Sequence, residues 1–392
     1  MSGTILYRNQ AATVALIDIP QSIRAGQHLA YTLRSSLAVR SPYPSTEPKG
    51  IKREAILNTT TVEEQLYHES LQYEIRAALI EIRTHLHGRG ELWCGARRAL
   101  TSHADTSVPP SPAQPSNLEW SMSTGPSSTA VPVVLSTTES RTKFHSLEDL
   151  QGTVVYNIVS QTAIVQVRHV GDFLVASGSV FLWASLEQGS PAFLSARRAL
   201  PPENRAFDLI LMDPPWPNRS VRNSNAYRTS EAQARDPFLQ AVCLTGDFLD
   251  PQGILALWIT NKSSIREKVL QTLHALDLHL HQEWIWIKVT AQGEPVSEID
   301  GVWRRPYEIL LLFRKGQPPK APERKVIAAV PDLHSRKPCL KPLLEEQLPP
   351  KYSALELFAR NLTTGWWSWG DEVLKFQHES QWDGYEGSEV TF

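Results

Sequence analysis

Cysteine is scarce in this chain. Three residues in 392, at Cys94, Cys243 and Cys339, are too few and too widely spaced for a disulfide framework or a Cys-based zinc site, so no metal is expected. A reducing, intracellular setting is the expectation. Long apolar runs are also missing: nowhere do eighteen consecutive apolar residues occur, and the N-terminus has no charged segment leading into an unbroken apolar core. Neither membrane insertion nor secretion is expected. Net charge is almost absent, with 39 Lys and Arg against 41 Asp and Glu giving −2, so no global basic field exists and any contact with a polyanion must come from a local patch. Internal repeats are lacking.

What is present is an ordinary apolar content of 41% in a chain long enough for a catalytic domain and an accessory region. The charge is unevenly spread. Residues 302–341 hold ten Lys or Arg against Glu308, Glu323 and Asp332, whereas the last 22 residues hold six acids and one Lys. By itself a basic run is more often a solvated face than a binding site.

Composition divides the chain into five stretches. Residues 1–102 form an N-terminal accessory region in which Thr61–His87 carries helical spacing, with Val62, Leu66, Leu71, Ile75, Leu79, Ile82 and Leu86 as the apolar face. Residues 103–142 are rich in Ser, Thr and Pro, a composition that predicts a disordered insertion. Residues 143–199 are an accessory β-rich segment, with strands over Gly152–Val170 and Phe173–Trp183. From 200 to 378 the pattern alternates. Strands are predicted at Leu209–Met212, Gly253–Thr260, Glu283–Val289, Tyr307–Phe313 and Leu355–Phe358, with a helix over Ser264–Leu276, and such alternation predicts an α/β domain with a mostly parallel sheet. An acidic tail, 379–392, follows.

The most informative stretch is Phe207–Trp216, where an apolar run ends at Asp213-Pro214-Pro215-Trp216. Proline has no backbone donor and a fixed φ, so the chain leaves the ladder with its carbonyls available to a ligand, beyond the carboxyl end of a strand. A carboxylate, stiff carbonyls and a large aromatic suit a planar base that bears an exocyclic amine. Asp213 or the Pro214 carbonyl would accept from the amine and Trp216 would stack on the ring. Acceptors that favour pyramidal nitrogen localise its lone pair for attack on an electrophilic methyl, so positioning and electrostatics would carry the catalysis without a strong base. The bland alternative is a strand-ending turn in which Asp213 caps and Trp216 packs in the core. A chance D-P-P-W in a chain of this length has odds on the order of one in a thousand.

With this tetrapeptide as the first of several ordered blocks, the chain resembles the MT-A70 family of adenine-N6 methyltransferases, and most closely its methyltransferase-like-four subgroup. The blocks are Asp213-Pro214-Pro215-Trp216, Ser220-Val221, Ser224-Asn225, Tyr227, Trp284 with Trp286-Ile287-Lys288, Pro306-Tyr307-Glu308, His334-Ser335 with Lys337-Pro338, Leu355 through Asn361, and Trp369-Gly370 with Glu372 through Phe376. They span roughly Ala206–His378, and a weaker similarity covers Ala55–Arg98. The resemblance implies a Rossmann-like fold and S-adenosylmethionine as the methyl donor. It implies that Asp213 also holds the donor's ammonium and Lys337 its carboxylate, each an opposite-charge pair. Phe358 would line the cofactor pocket, and Arg360, Asn361, Asp371 and Glu372 would contact ribose and adenine. The chain departs from the pattern in carrying Asp371 for Asn and Arg336 for His, the latter adding a charge beside Lys337. The glycine-rich F-x-G-x-G of bacterial adenine methyltransferases is replaced by Phe358-Ala359-Arg360, the form expected in this family.

For the acceptor, Arg219 and Arg222 would meet phosphates, Asn225 would read a base edge and Tyr227 would stack or bond, although a solvated loop is an even alternative. Lys288 shares a strand face with Trp284 and Trp286, and by family analogy Glu308 orients the acceptor. A buried adenine must leave its stack, so the expected partner is nucleic acid with an unpaired or flipped nucleotide. RNA is favoured, with an internal 2′-O-methylated adenosine of a small nuclear RNA as the sharpest target, and DNA adenine second. Such substrates imply nuclear residence; a protein partner is not required. The alternative from another class is a non-catalytic nucleic-acid-binding scaffold, against which the intact Asp213 motif, Lys337 and Arg360 count.

Overall fold

The computed structural model describes residues 3–87, 92–100, 131–137, 141–216 and 236–385. The chain forms two compact units from interleaved segments. The first comprises Met1–Ser22, Ser35–Arg98 and Ala256–Leu340, the second Ile23–Arg34, Ala99–Leu255 and Lys341–Phe392. These units cut across the boundaries suggested by composition at 102 and 200, because strands far apart in sequence pair within each one.

In the first unit, Leu278–Lys288 pairs antiparallel with Tyr307–Lys315 and parallel with Glu323–Ala329. Glu323–Ala329 lies parallel to Val14–Ile17, which pairs antiparallel with Ile5–Arg8. The sheet is therefore mixed rather than mostly parallel. Residues 289–306 hold no helix to carry the chain back across the sheet, so it returns in the opposite direction.

The helix Val62–His87 buries His68, Leu71, Ile75, Ala78, Leu79, Ile82 and Leu86. Val62 and Leu66, predicted for the same face, are instead 66% and 59% exposed. At 3.6 residues per turn, positions 66 and 68 point about 200° apart, and the buried series starts from 68. Beneath the helix, the fully buried Glu283 is held by Arg266 at 2.6 Å and Arg324 at 2.9 Å, and Arg324 also reaches Glu74 on the helix at 2.8 Å. Two cations and several hydrogen bonds offset the desolvation of that carboxylate. His68 Nδ1 meets the Tyr307 hydroxyl at 2.9 Å. Burial, reinforced by Arg305 and Arg266, lowers the imidazole to about 3, so it is neutral.

The second unit has the parallel order expected from its β-α alternation. Phe207–Met212 lies parallel to Ala354–Leu357, that strand to Trp367–Gly370, and Trp367–Gly370 to Val180–Trp183; Val154–Tyr156 then joins antiparallel. Two helices flank these strands. Leu186–Arg198 is capped by the Ser185 side chain, and Pro237–Phe248 by Asp236, with Pro237 in the first turn where its missing donor costs nothing. Phe193 anchors the first helix, its ring 4.9 Å from Trp369 and 5.2 Å from Phe248.

Part of the stretch predicted to be disordered belongs to this fold. Val133–Val134 pairs parallel with Val155 and Tyr156, and Leu135 joins the core beside Leu150 and Phe181. The local Val-Pro-Val-Val-Leu run supplies apolar surface that the rest of 103–142 lacks. Residues 101–130 and 138–140 lie outside the described residues. Among the described helices none is long and apolar enough to cross a membrane.

Candidate active site

In the second unit the apolar Phe207–Met212 strand delivers Asp213 to its carboxyl end, where the side chain is partly exposed. Pro214 is buried, Pro215 exposed, and Trp216 is buried with its ring 5.3 Å from Phe238. The aromatic therefore packs against the Pro237–Phe248 helix and holds the loop from the inside. On the neighbouring strand Glu356 pairs in register with Leu211, and the chain then turns through Phe358 at φ 59°. That left-handed conformation is uncommon for an aromatic residue. It lets Arg360 come back to Asp213, with Nη1 3.6 Å from Oδ2, while its Nε donates to Glu372 at 2.8 Å. Glu372 also accepts from Lys375 at 2.5 Å.

Burial would raise Glu372, yet Lys375 and Arg360 together hold it below the usual carboxylate range. Glu356 goes the other way. Burial first, and then the Asp213 carboxylate, push it up to about 8 against the pull of Arg360. Asp371 is exposed, and its carbonyl accepts from Trp183 Nε1 at 2.8 Å. Asn361 lies one residue beyond Arg360 and is partly buried. Gly370 permits the close approach of this turn: an added Cβ would stand 2.5 Å from the Ala359 carbonyl oxygen.

The first unit holds a second cluster. Trp286 and Glu308 face each other across the antiparallel pair, and Lys288, two residues from Trp286, shares that face. Glu308 accepts from Lys288 through Oε1 at 2.5 Å and from Lys337 through Oε2 at 2.7 Å. Burial would raise this carboxyl, but Lys337 and then Lys288 bring it down to about 2. Lys337 also lies 5.0 Å over the Trp258 ring, and Lys288 4.8 Å over Trp286. Trp284 and Trp286 are both core.

Sequence reasoning named Lys288, Glu308 and Lys337 singly, and the fold brings them together. It did not single out Glu356, Lys375 or Trp258. The one available signal was a glutamate inside the apolar Leu355-Glu356-Leu357 strand. Arg336 departs from its expected place: it is 2% exposed and paired with Asp332 at 2.8 Å, so its charge is spent in the interior instead of standing beside Lys337. Asp332 also takes Arg97 at 3.5 Å and the Ser36 amide at 2.8 Å. Arg219, Arg222, Asn225 and Tyr227 lie outside the described residues.

A strand-end Asp-Pro-Pro-Trp loop with its carboxylate in an ion-pair cluster is the arrangement against which known proteins can be compared. Residues 207–372 match the MT-A70 family. These residues are an MT-A70 domain. The N6-methyladenosine RNA methyltransferase MTA1 of Cryphonectria parasitica is 42% identical over 214 residues, covering 53% of this chain and 62% of that protein. The N(6)-adenine-specific methyltransferase METTL4 of Homo sapiens is 35% identical over 249 residues, 59% of this chain and 49% of its own length. The DNA N6-methyl methyltransferase of Caenorhabditis elegans is 35% identical over 178 residues, 44% and 47% respectively. The chain spans about half the length of the curated relatives it matches.

An MT-A70 domain over residues 207–372 implies S-adenosylmethionine as the methyl donor. The donor set of the second unit fits that molecule. In the second unit the acids Asp213, Asp371 and Glu372 gather with the cations Arg360 and Lys375, and acidic groups suit a ligand bearing a sulfonium and an ammonium, whereas Glu356, pushed up to about 8, keeps its proton at neutral pH. In the first unit Lys288 and Lys337 both pair with Glu308.

Proposed function

We propose that this chain is an S-adenosylmethionine-dependent adenine-N6 methyltransferase acting on nucleic acid, RNA before DNA. The observation that carries the proposal is the intact Asp213-Pro214-Pro215-Trp216 loop at the carboxyl end of its strand, with Asp213 held by Arg360. Bound S-adenosylmethionine supplies an electrophilic methyl group. Asp213 and the Pro214 carbonyl accept from the exocyclic amine of adenine, and the fixed φ of proline keeps that carbonyl in place. Trp216, seated on Phe238, keeps the loop from collapsing into the space the base needs. The amine sheds its proton after attack, when the nitrogen is cationic and acidic, so no strong base is required.

Asp213 also meets the donor's ammonium, Lys337 its carboxylate, and Asp371 with Glu372 its ribose hydroxyls; Phe358, Arg360 and Asn361 line the adenosine side. Lys288 and Glu308 orient the acceptor, and Arg219, Arg222, Asn225 and Tyr227 meet its backbone and bases. The RNA preference is supported by the fungal relatives named as RNA methyltransferases. The finer target is an internal 2′-O-methyladenosine of a small nuclear RNA, as the subgroup resemblance implies, and nuclear residence goes with it. The nematode DNA enzyme supports DNA as the second substrate.

The test is transfer of labelled methyl to matched RNA and DNA oligonucleotides, one RNA carrying 2′-O-methyladenosine, with Asp213→Ala as control. N6 labelling of RNA that disappears in the control is the expected result. Labelling of DNA alone would replace the substrate, and a protein that neither transfers the methyl nor binds S-adenosylmethionine would be a scaffold.

A further inference from the structure

Of the twelve tryptophans, Trp120 lies outside the described residues, and every other one except Trp303 is buried or half-buried. Trp303 is 58% exposed. Leaving so large an aromatic surface in water forgoes the burial that such a ring normally gains. The loop that presents it is nevertheless well anchored. The Glu47 carboxylate accepts three successive backbone amides, from Val302 at 2.6 Å, Trp303 at 3.1 Å and Arg304 at 2.9 Å. Gly301 makes the turn tight, since an added Cβ would stand 2.5 Å from the Arg304 carbonyl oxygen. Arg53 donates to the Asp300 carbonyl at 3.0 Å and to its carboxylate at 3.2 Å, and Ser45 donates to Glu298 at 3.1 Å. Segment 45–53 thus holds loop 298–304 at three points while the indole stays in water.

Cations neighbour it in the chain and occur on the segment that anchors its loop. Arg304 is exposed next in the chain, and Lys49 and Lys52 are exposed between the Glu47 and Arg53 anchors. Trp303 also precedes Glu308 by five residues, so their Cα atoms are at most about 18 Å apart, within reach of a few nucleotides. An exposed ring on a preorganised loop, flanked by cations, has the chemistry of a base-stacking platform: any base offers a π-face, and arginine and lysine meet the phosphates on either side.

We infer that Trp303 stacks on an unpaired base of the acceptor strand close to the target adenine, with Arg304, Lys49 and Lys52 contacting its phosphates. The inference rests on the methyltransferase reading and adds to it the requirement for a single-stranded flank. No predicted acceptor contact, from Arg219 to Glu308, includes this loop.

The test compares wild type, Trp303→Ala, Trp303→Phe and Glu47→Ala in binding fluorescent single-stranded RNA and DNA oligonucleotides, in methyl transfer to them, and in thermal melting. Trp303→Ala is expected to weaken oligonucleotide binding on the order of tenfold or more, with KM rising and kcat little changed. Trp303→Phe should restore most of the affinity. Glu47→Ala should act in the same direction by loosening the loop, and affinity for S-adenosylmethionine should be the same in wild type and Trp303→Ala. If Trp303→Ala binds and methylates like wild type, the platform is overturned and the methyltransferase stands. If wild type binds the strand through Trp303 but transfers no methyl, the platform stands and the enzyme is overturned. A wild type that binds no single strand overturns the platform.

Discussion

Arg360 lies 3.6 Å from Asp213 and, through its other edge, 2.8 Å from Glu372, so one guanidinium links the strand-end carboxylate to the turn after Trp367–Gly370. Asp213 is thereby held in place before any ligand arrives. Asp213→Asn removes the charge but keeps the shape. Methyl transfer is expected to fall by about a hundredfold or more, the scale on which a positioned electrostatic contact acts, with the melting temperature nearly unchanged. Rate assays beside thermal melts check it; a variant retaining full rate would remove Asp213 from the reaction.

Glu356 offers a pH signature. Its folded-state value of about 8 lies above the ordinary 4.5, so between those values the folded protein holds a proton that the unfolded chain has lost. Stability is therefore lost as pH rises through that window. Glu356→Gln should lose less stability than wild type between pH 5 and pH 8. Urea titrations at several pH values decide the matter, and parallel curves would mean that Glu356 titrates normally.

Glu308 has the opposite sign. Its value of about 2 lies below the ordinary 4.5, so it contributes stability that is fully present above 4.5 and is lost as pH falls toward 2. Glu308→Gln leaves Lys288 and Lys337 facing one another without their shared anion. It should be less stable than wild type at neutral pH, and the gap should narrow on acidification below 4.5. Denaturant midpoints measured along that pH series would reveal a constant gap if the lysines do not depend on this carboxylate.

Gly370→Ala places a methyl 2.5 Å from the Ala359 oxygen and 2.8 Å from the Ala359 nitrogen, both backbone atoms that cannot swing away. A destabilisation of about 1–3 kcal/mol is expected, together with weaker donor binding because the shift propagates to Arg360. Calorimetry of S-adenosylmethionine binding beside urea unfolding would detect both, and unchanged affinity would separate this turn from the donor site.

Much of the second unit could be read from the chain because its signals are local. The Phe207–Met212 strand, the proline exit and Asp213 lie within ten residues, and the helix after Asp236 begins with its own cap and proline. The first unit was harder. Trp286 and Lys288 could be placed on one face by alternation, but their meeting with Glu308 depends on an antiparallel register closed over residues 289–306. The partnership of Lys337 with that glutamate depends on further strand pairing. Arg336 was misplaced for the same reason: its partner Asp332 is close in sequence, but Arg97 and Ser36, which complete the buried cluster, are not. Val62 and Leu66 fitted a helical period in general yet fell outside the one fixed by His68, Leu71 and Ile75.

The burial of Arg336 has a consequence for its neighbour. With Arg336 clamped by Asp332, the chain that leads into Lys337 is anchored, while the ammonium beyond it hangs on four methylenes and can exchange one anion for another by bond rotation alone. Lys337 is a tether with a nailed end. Whatever carboxylate comes to replace Glu308 must arrive within the arc that this tether sweeps.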